Sequence, residues 1–176
     1  MIYITGDCHG NFEQFNPSIF PEQNEMTKED YVIICGDFGG VWHKGAESNE
    51  ETMVLDWLDS RPFTTLFVCG NHENFDRLYQ YPVENWHGGK VHKIRESVIH
   101  LMRGQVFKIA EKKIFSFGGA SSHDIQGGVL EPDDPEFEKK YAALSKGDLP
   151  FRIFHVMQLI IIVVLIVTLM NGCSGI

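Results

Sequence analysis

Three apolar segments of the sequence end in the same way, with a glycine followed directly by a polar residue. In MIYITGD, YVIICGD and TTLFVCGN the polar residues are Asp7, Asp37 and Asn71. They are 30 and 34 positions apart, which is about the length of one β-α-β unit. The repeat therefore predicts neighbouring parallel strands whose carboxyl ends each carry a polar side chain.

The segments around this repeat predict an α/β fold. Continuous apolar runs predict strands at residues 2–5, Tyr31–Cys35 and Thr64–Cys69. Helical spacing predicts a short helix after the turn at His9–Phe15, a helix over Asn49–Asp59 with Asn49 as its N-cap, and helices over Glu73–Tyr81 and Asp133–Leu144.

The pattern changes in the second half of the chain, where SVIHLM, QVFKIA and KKIFSFGG follow one another closely. Such short apolar segments predict an antiparallel meander. The whole pattern predicts an α/β sandwich of two packed sheets with helices outside, incomplete at the C-terminus. We expect one domain over residues 1–156, followed by an atypical apolar tail over residues 157–176.

Composition limits the class of protein and its partners. A chain of 176 residues with 43% hydrophobic residues is long enough for one soluble domain with a real core. Its net charge of −9 argues against nucleic acid as a stable partner, but bound metal cations would reverse the local charge for a phosphate substrate.

The four cysteines form no CxxC pair, and the N-terminus opens directly into a strand. We therefore expect reduced thiols and a cytoplasmic protein, with no membrane role for the domain.

Polar side chains at the carboxyl ends of parallel strands are expected to converge at one crevice. Asp7 and His9 are two positions apart, so an extended segment would direct both side chains to one cation. Asp37 has two carboxylate oxygens and is suited to bridging two cations. Asn71 offers a carbonyl oxygen to the second cation, and His72 is placed to protonate a leaving alkoxide, with Glu73 expected to orient its imidazole.

The motifs GDCHG, GDFGG and GNHE, in this order, resemble the first three motifs of the calcineurin-like metallophosphoesterase superfamily. The resemblance covers roughly residues 1–125. It implies a two-sheet α/β sandwich in which Asp7 and His9 bind one metal, Asp37 bridges, Asn71 binds the second metal and His72 assists catalysis. It also implies two divalent cations, with manganese preferred over iron, zinc or nickel, and hydrolysis of a phosphate monoester or diester by a metal-activated hydroxide.

The sequence departs from the family's pattern downstream, because no GHxH element follows. His123 and His155 are the remaining histidines there, and we interpret them as a loop residue and a packed histidine rather than as ligands. Four other histidines lack ligand spacing and are predicted to be surface or loop residues; they are His43, His87, His92 and His100. The segment GDFGGVW also lacks the Asp-Arg pair of many protein phosphatases. A phosphoserine or phosphothreonine phosphatase is therefore a less favoured prediction than an unspecified phosphoesterase.

The segment QLIIIVVLIVTLMNGCSGI has a composition unlike the rest of the chain. Its apolar run, Leu159–Met170, is shorter than the 17–25 residues of a membrane helix. Three interpretations stay open for it: an aberrant or truncated tail, a buried strand, and a membrane-associated segment. Two functional hypotheses follow, a metal-dependent phosphoesterase and a truncated family member that binds metal, or nothing, without turnover.

Overall fold

Two β-sheets organise the part of the chain that the structure describes. The computed structural model describes residues 1–43, 45–70 and 73–118, and the backbone of Leu165–Val167. All of these belong to one compact unit formed by Met1–Gly119 and Ile160–Ile176. The second compact unit, Ala120–Leu159, lies outside the described residues, and so does the helix predicted over Asp133–Leu144.

The larger sheet has six strands and is mixed. Its strands are β1 (Ile2–Thr5), β2 (Tyr31–Cys35), β3 (Thr64–Val68), β4 (Val83–Trp86), β5 (Gly89–Arg95) and β6 (Val98–Leu101). Their order is β1-β2-β3-β6-β5-β4. Strands β1, β2, β3 and β6 run parallel, whereas β5 is antiparallel to β6 and β4 is antiparallel to β5. The carboxyl ends of β1, β2, β3 and β6 therefore lie along one edge of the sheet.

The smaller sheet is antiparallel, in the order β7 (Gln105–Ile109), β8 (Lys112–Ser116) and β9 (Leu165–Val167). Strand β9 comes from the apolar tail, whose other residues lie outside the description. Within the described residues no helix is long and apolar enough to cross a membrane. For the three residues of β9, the backbone agrees with the strand interpretation.

Two helices pack on the larger sheet, α1 (Asn49–Asp59) and α2 (Phe75–Leu78), and 3₁₀ turns form at Glu13–Phe15 and Pro21–Glu25. The bounds predicted for α1 are confirmed, but its N-cap is Ser48 rather than Asn49. Ser48 Oγ accepts from the Glu51 N–H at 3.2 Å and Glu51 Oε2 accepts from the Ser48 N–H at 2.9 Å, which is a capping box. The helix predicted over Glu73–Tyr81 is shorter than expected, because Asn74 caps it and it ends at Leu78.

Alternating side chains of the central strands give the sheet two buried faces. Val32, Ile34 and Phe67 pack with the helices, in a core that includes Leu55 and Leu58. On the other face Ile33, Leu66, Val91 and Ile99 pack with Phe107, Ile109 and Ile114 of the smaller sheet. The predicted sandwich of two sheets with helices outside is therefore confirmed.

The predicted meander is wrong in its connections. The segment SVIHLM forms β6 inside the larger sheet, parallel to β3, whereas QVFKIA and KKIFSFGG form the β7–β8 hairpin of the smaller sheet. The segment YPVENWHGG contains β4 and the start of β5. Alternation along a short segment indicates a strand but not the sheet in which that strand pairs.

Two histidines predicted at the surface are buried instead. His92 on β5 and His100 on β6 are each 1% exposed and pair across the sheet, with their Nδ1 atoms 2.9 Å apart. Their rings stack with centroids 5.2 Å apart, and His100 also stacks on Phe67. Burial lowers the pKa of His92, and burial, with His92 and Arg103 nearby, lowers the pKa of His100 to about 3. The pair is therefore a neutral part of the core at pH 7.

Removing the Phe107 ring should separate the role of inter-sheet packing from that of local strand propensity. Phe107 is fully buried between the sheets, so we expect Phe107→Ala to lower the free energy of unfolding by about 3–5 kcal/mol. The neighbouring Val106 is 49% exposed, and Val106→Ala should change it by no more than about 0.5 kcal/mol. Urea unfolding of both variants measures this, and equal effects would contradict the packing described.

The buried histidine pair predicts acid sensitivity. The pKa of His100 falls from about 6.5 in the unfolded chain to about 3 in the folded one, so its contribution to stability is present above pH 6.5 and is lost as the pH falls towards 3. Between pH 7 and pH 5 the loss amounts to about 2 kcal/mol. His100→Asn, which can still bond to His92, should remove that loss in urea unfolding at the two pH values. His87→Asn, at an exposed histidine, should retain the wild-type pH dependence.

Candidate metal centre

The loops that follow β1 and β2 are joined by backbone hydrogen bonds. The Asp7 N–H donates to Gly36 O at 3.1 Å, the His9 N–H to Asp37 O at 2.7 Å, and the Gly10 N–H to Phe38 O at 2.9 Å. These bonds continue the β1–β2 pairing beyond the ends of the strands. They hold the first two motifs in a fixed register at the carboxyl edge of the sheet.

Three residues in these loops have an unusual backbone conformation. The φ angles of Asp7, His9 and Asp37 are 60°, 48° and 47°, in the left-handed region. For a residue with a Cβ this conformation costs roughly 1–2 kcal/mol, and it concentrates at functional sites. An extended segment was predicted for Asp7 and His9, but their backbone is not extended. Their side chains converge because two tight loops place them together, not because of the alternation of side chains along a strand.

The side chains of Asp7, His9 and Asp37 meet at one point. His9 Nε2 lies 3.0 Å from Asp7 Oδ1 and 3.8 Å from Asp37 Oδ2, and one donor atom from each residue lies within 4.8 Å of the other two. Within the described part of the chain this is the one group of three or more such residues. The Asp37 side chain is 2% exposed, whereas those of Asp7 and His9 are 64% and 52% exposed. The centre thus has a buried carboxylate at its base and two accessible donors above it.

This donor set fits a divalent transition metal. Ligand atoms at about 2.0–2.2 Å from one ion lie roughly 3–4 Å from one another, close to the separations found here. One imidazole nitrogen and two carboxylate oxygens suit manganese, iron or zinc. A buried carboxylate is costly without a compensating charge, which a cation would supply at Asp37.

The loop after β3 contacts this centre through Gly70 and Glu73. A Cβ built on Gly70 would overlap Asp37 Oδ1, so only glycine leaves room for that carboxylate. Glu73 Oε1 accepts from the Phe38 N–H at 2.8 Å and from the Gly70 N–H at 3.4 Å, which ties the second and third loops together. Burial raises the pKa of Glu73 to about 7, although these N–H groups favour its charged form. Glu73 was predicted to orient His72, and its hydrogen bonds to the backbone were not predicted.

Several predicted site residues lie outside the described residues. Asn71 and His72 fall in the gap between Gly70 and Glu73, and His123 and His155 follow Gly118. Their roles therefore remain predictions. The structure brings together Asp7, His9 and Asp37, and it places the two residues that flank the Asn71–His72 gap against the same centre.

A turn at Trp42–His43, which was not predicted from the sequence, is held by Glu51 and Asn74. Glu51 Oε1 accepts from the N–H groups of Trp42 and His43, both at 2.6 Å, and both Glu51 oxygens bond to Arg77 Nη1 at 2.9 and 2.7 Å. Asn74 Nδ2 donates to the carbonyls of Trp42 and His43 at 3.0 and 3.1 Å. Burial alone would raise the pKa of Glu51, but these partners lower it to about 2. The Ser48-x-x-Glu51 capping pattern was the signal in the sequence that could have identified Glu51.

The cysteines near the site are unreactive in this environment. Cys8, Cys35 and Cys69 are free, and burial raises the pKa of all three thiols, to about 12 for Cys8 and about 11 for Cys35. Thiols with such pKa values stay protonated at pH 7 and are poor metal ligands. The prediction of free thiols is confirmed for these three residues.

Substitution of Gly70 should disrupt the centre without removing a ligand. In Gly70→Ala the new methyl group would displace the Asp37 carboxylate, so we expect manganese affinity to fall by at least tenfold in calorimetric titrations. Gly45→Ala is the control, because a Cβ there meets nothing within 4 Å, although its φ of +90° adds backbone strain that Gly70→Ala does not have. It should bind manganese like the wild type, and equal losses in the two variants would contradict the displacement of Asp37 by the new methyl group.

Comparison with known protein sequences identifies a family and several curated proteins that are similar to this chain. The sequence profile of the calcineurin-like phosphoesterase family matches residues 1–158, which confirms the resemblance found in the motifs. Among curated proteins, lariat debranching enzyme A of Xenopus laevis is 25% identical over 171 residues, covering 90% of this chain and 30% of its own length. The lariat debranching enzyme of Danio rerio is 25% identical over 150 residues, covering 77% of this chain and 25% of its own.

The human lariat debranching enzyme is 23% identical over 143 residues, which cover 74% of this chain and 25% of the human protein. The chain thus spans between a quarter and a third of the length of these curated relatives. No solved structure gives a significant match.

Proposed function

The chain belongs to the calcineurin-like phosphoesterase family, and on that premise we propose that it hydrolyses a phosphate monoester or diester at the centre formed by Asp7, His9 and Asp37. Members of this family are metal-dependent phosphoesterases with a dinuclear divalent metal centre. The observation that carries the proposal is the convergence of these three donors on strained loops at one edge of the sheet. A cytoplasmic location, consistent with the free thiols, is part of the proposal.

We assign the ligands as follows. Asp7 and His9 would hold one cation, Asn71 would hold the second, and Asp37 would be shared by both, with manganese as the preferred metal. Two divalent cations, when bound, supply Lewis acidity towards phosphoryl oxygens and generate a nucleophile from water at neutral pH. The buried position of Asp37 supports its bridging role, since its surroundings exclude the water that would otherwise solvate the carboxylate.

The remaining steps concern positioning and proton transfer by the chain itself. The loops around Asp7, His9 and Asp37 are fixed before substrate arrives, because their backbone bonds and the Glu73 bridge join them. Such preorganisation lowers the cost of aligning charges with the transition state. His72 is assigned to protonate the leaving alkoxide, a role that suits an imidazole near neutral pH.

Two alternatives have specific support. The absence of a GHxH element from the sequence favours a family member that binds metal without turnover. The similarity of 90% of the chain to lariat debranching enzyme A favours lariat debranching as the reaction. The acidic net charge of −9 argues against stable binding of nucleic acid, so we place general phosphoester hydrolysis first.

The proposal predicts metal-dependent turnover that requires Asp37. We expect the purified chain to hydrolyse bis-p-nitrophenyl phosphate or p-nitrophenyl phosphate with manganese and to stop when a chelator removes the metal. Asp37→Asn should reduce the rate at least a hundredfold, because the loss of this carboxylate weakens both metal sites. Asp56→Asn is the matched control, since Asp56 is exposed and pairs with Arg95 on the outside of α1.

The same assay separates the alternatives. Equal rates for wild type and Asp37→Asn would reject the assigned centre. Manganese binding without turnover on either ester would favour the inert family member. Adding a lariat substrate to the panel tests debranching directly, and the ratio of diester to monoester rates begins to define the substrate class.

A further inference from the structure

Arg103 is one of two arginines of the described residues that form no ion pair, the other being Arg61. Arg77 pairs with the buried Glu51, and Arg95 pairs with Glu47 and Asp56. Arg61 lies over the Trp57 ring and donates to the Trp57 carbonyl, at the far end of α1. Among the ion pairs of residues 1–43, 45–70 and 73–118, none involves Arg103.

The Arg103 guanidinium is nevertheless held in place by neutral groups. Its Nε donates to Cys69 Sγ at 3.0 Å, its Nη2 donates to Gly70 O at 3.4 Å, and its Cζ lies 5.1 Å from the centre of the Phe75 ring. These two hydrogen bonds use two of the five N–H donors of the group. The contacts fix the orientation of the charge and leave it without a described carboxylate to neutralise it.

The position of Arg103 brings this cation to the candidate metal centre. Arg103 follows β6, whose carboxyl end lies beside that of β3 because the two strands are parallel. Its hydrogen-bond partner Gly70 is the residue whose Cα faces Asp37 so closely that a Cβ would overlap the carboxylate. A single residue, Gly70, therefore separates the guanidinium from the base of the centre.

We propose that Arg103 is a substrate-binding residue that donates hydrogen bonds to non-bridging oxygens of the substrate's phosphoryl group. The inference rests on the proposed phosphoesterase function. Guanidinium groups bind phosphate through paired N–H donors, and an arginine held in advance loses little side-chain freedom when it binds. A cation fixed beside the centre also stabilises the negative charge on the phosphoryl oxygens as the reaction proceeds. The neutral contacts to Cys69 and Phe75 orient the Arg103 guanidinium without neutralising its positive charge.

Binding of a phosphoryl anion that cannot be hydrolysed tests this role. Methylphosphonate would be titrated by calorimetry into the manganese-loaded chain, using wild type, Arg103→Gln, Arg103→Lys and Arg61→Gln. We expect about tenfold weaker binding for Arg103→Gln, which loses a charge-assisted hydrogen bond. Arg103→Lys should be intermediate, because it keeps the charge but not the paired donors. Arg61→Gln should bind like the wild type, since it removes the same charge and a similar ring contact with Trp57, near the C-terminal end of α1.

Manganese affinity and thermal unfolding, measured on the same four proteins, exclude a purely structural role. The proposal expects manganese affinity within twofold of wild type in Arg103→Gln. A parallel loss of manganese and phosphonate binding would show that Arg103 only braces the loop after β3, and the proposal would be wrong. Unchanged phosphonate binding in Arg103→Gln, or a wild type that binds no phosphonate, would also overturn it.

Turnover of the p-nitrophenyl esters, measured in parallel, distinguishes this inference from the proposed function. Phosphonate binding that depends on Arg103, without turnover by the wild type, would support the anion site and reject the hydrolytic function. Turnover with phosphonate binding that is independent of Arg103 would keep the function and reject this inference. If both hold, Arg103→Gln should lower kcat/KM for the esters by about the factor seen in phosphonate binding.

Discussion

The buried carboxylate of Asp37 is the group around which the three loops of the candidate site are arranged. Its side chain is 2% exposed, and burying a carboxylate without a partner is costly. Three local features accommodate it: left-handed backbone at Asp37 itself, His9 Nε2 at 3.8 Å, and the missing Cβ of Gly70. A divalent cation would offset the negative charge of this carboxylate.

Two glutamates hold the surrounding loops through backbone hydrogen bonds, and their pKa values are shifted in opposite directions. Glu51 and Glu73 each accept several backbone N–H groups while largely buried. Burial raises the pKa of Glu51, but the backbone N–H groups of His43 and Ser48, followed by the Arg77 guanidinium, lower it overall to about 2, whereas burial raises the pKa of Glu73 to about 7. Glu51 thus braces the Trp42–His43 turn as a charged group, and Glu73 adds a second carboxyl to a centre that is already acidic.

Some features followed from the sequence because they are local. The strands β1 and β2 and the bounds of α1 were predicted from apolar runs and helical spacing. The convergence of Asp7 and Asp37 was predictable because parallel strands place their carboxyl ends at one edge of a sheet. The Ser48-x-x-Glu51 pattern of a capping box was also present in the sequence, although Asn49 was predicted as the N-cap. By contrast, the prediction of an extended GDCHG segment was wrong, because loop-to-loop hydrogen bonds impose positive φ angles there.

The sequence by itself therefore determined the family, the strand–loop repeat and the candidate ligands, since each depends on residues close together in the chain. Only the tertiary structure decided that β6 joins the larger sheet and that β7 and β8 form another, because strand pairing depends on contacts between distant segments. It also decided that His92 and His100 are buried, where each polar ring has the other as its partner. Finally, it placed Arg103 against Gly70 beside the candidate metal centre, since the parallel pairing of β3 and β6 brings together residues 33 positions apart.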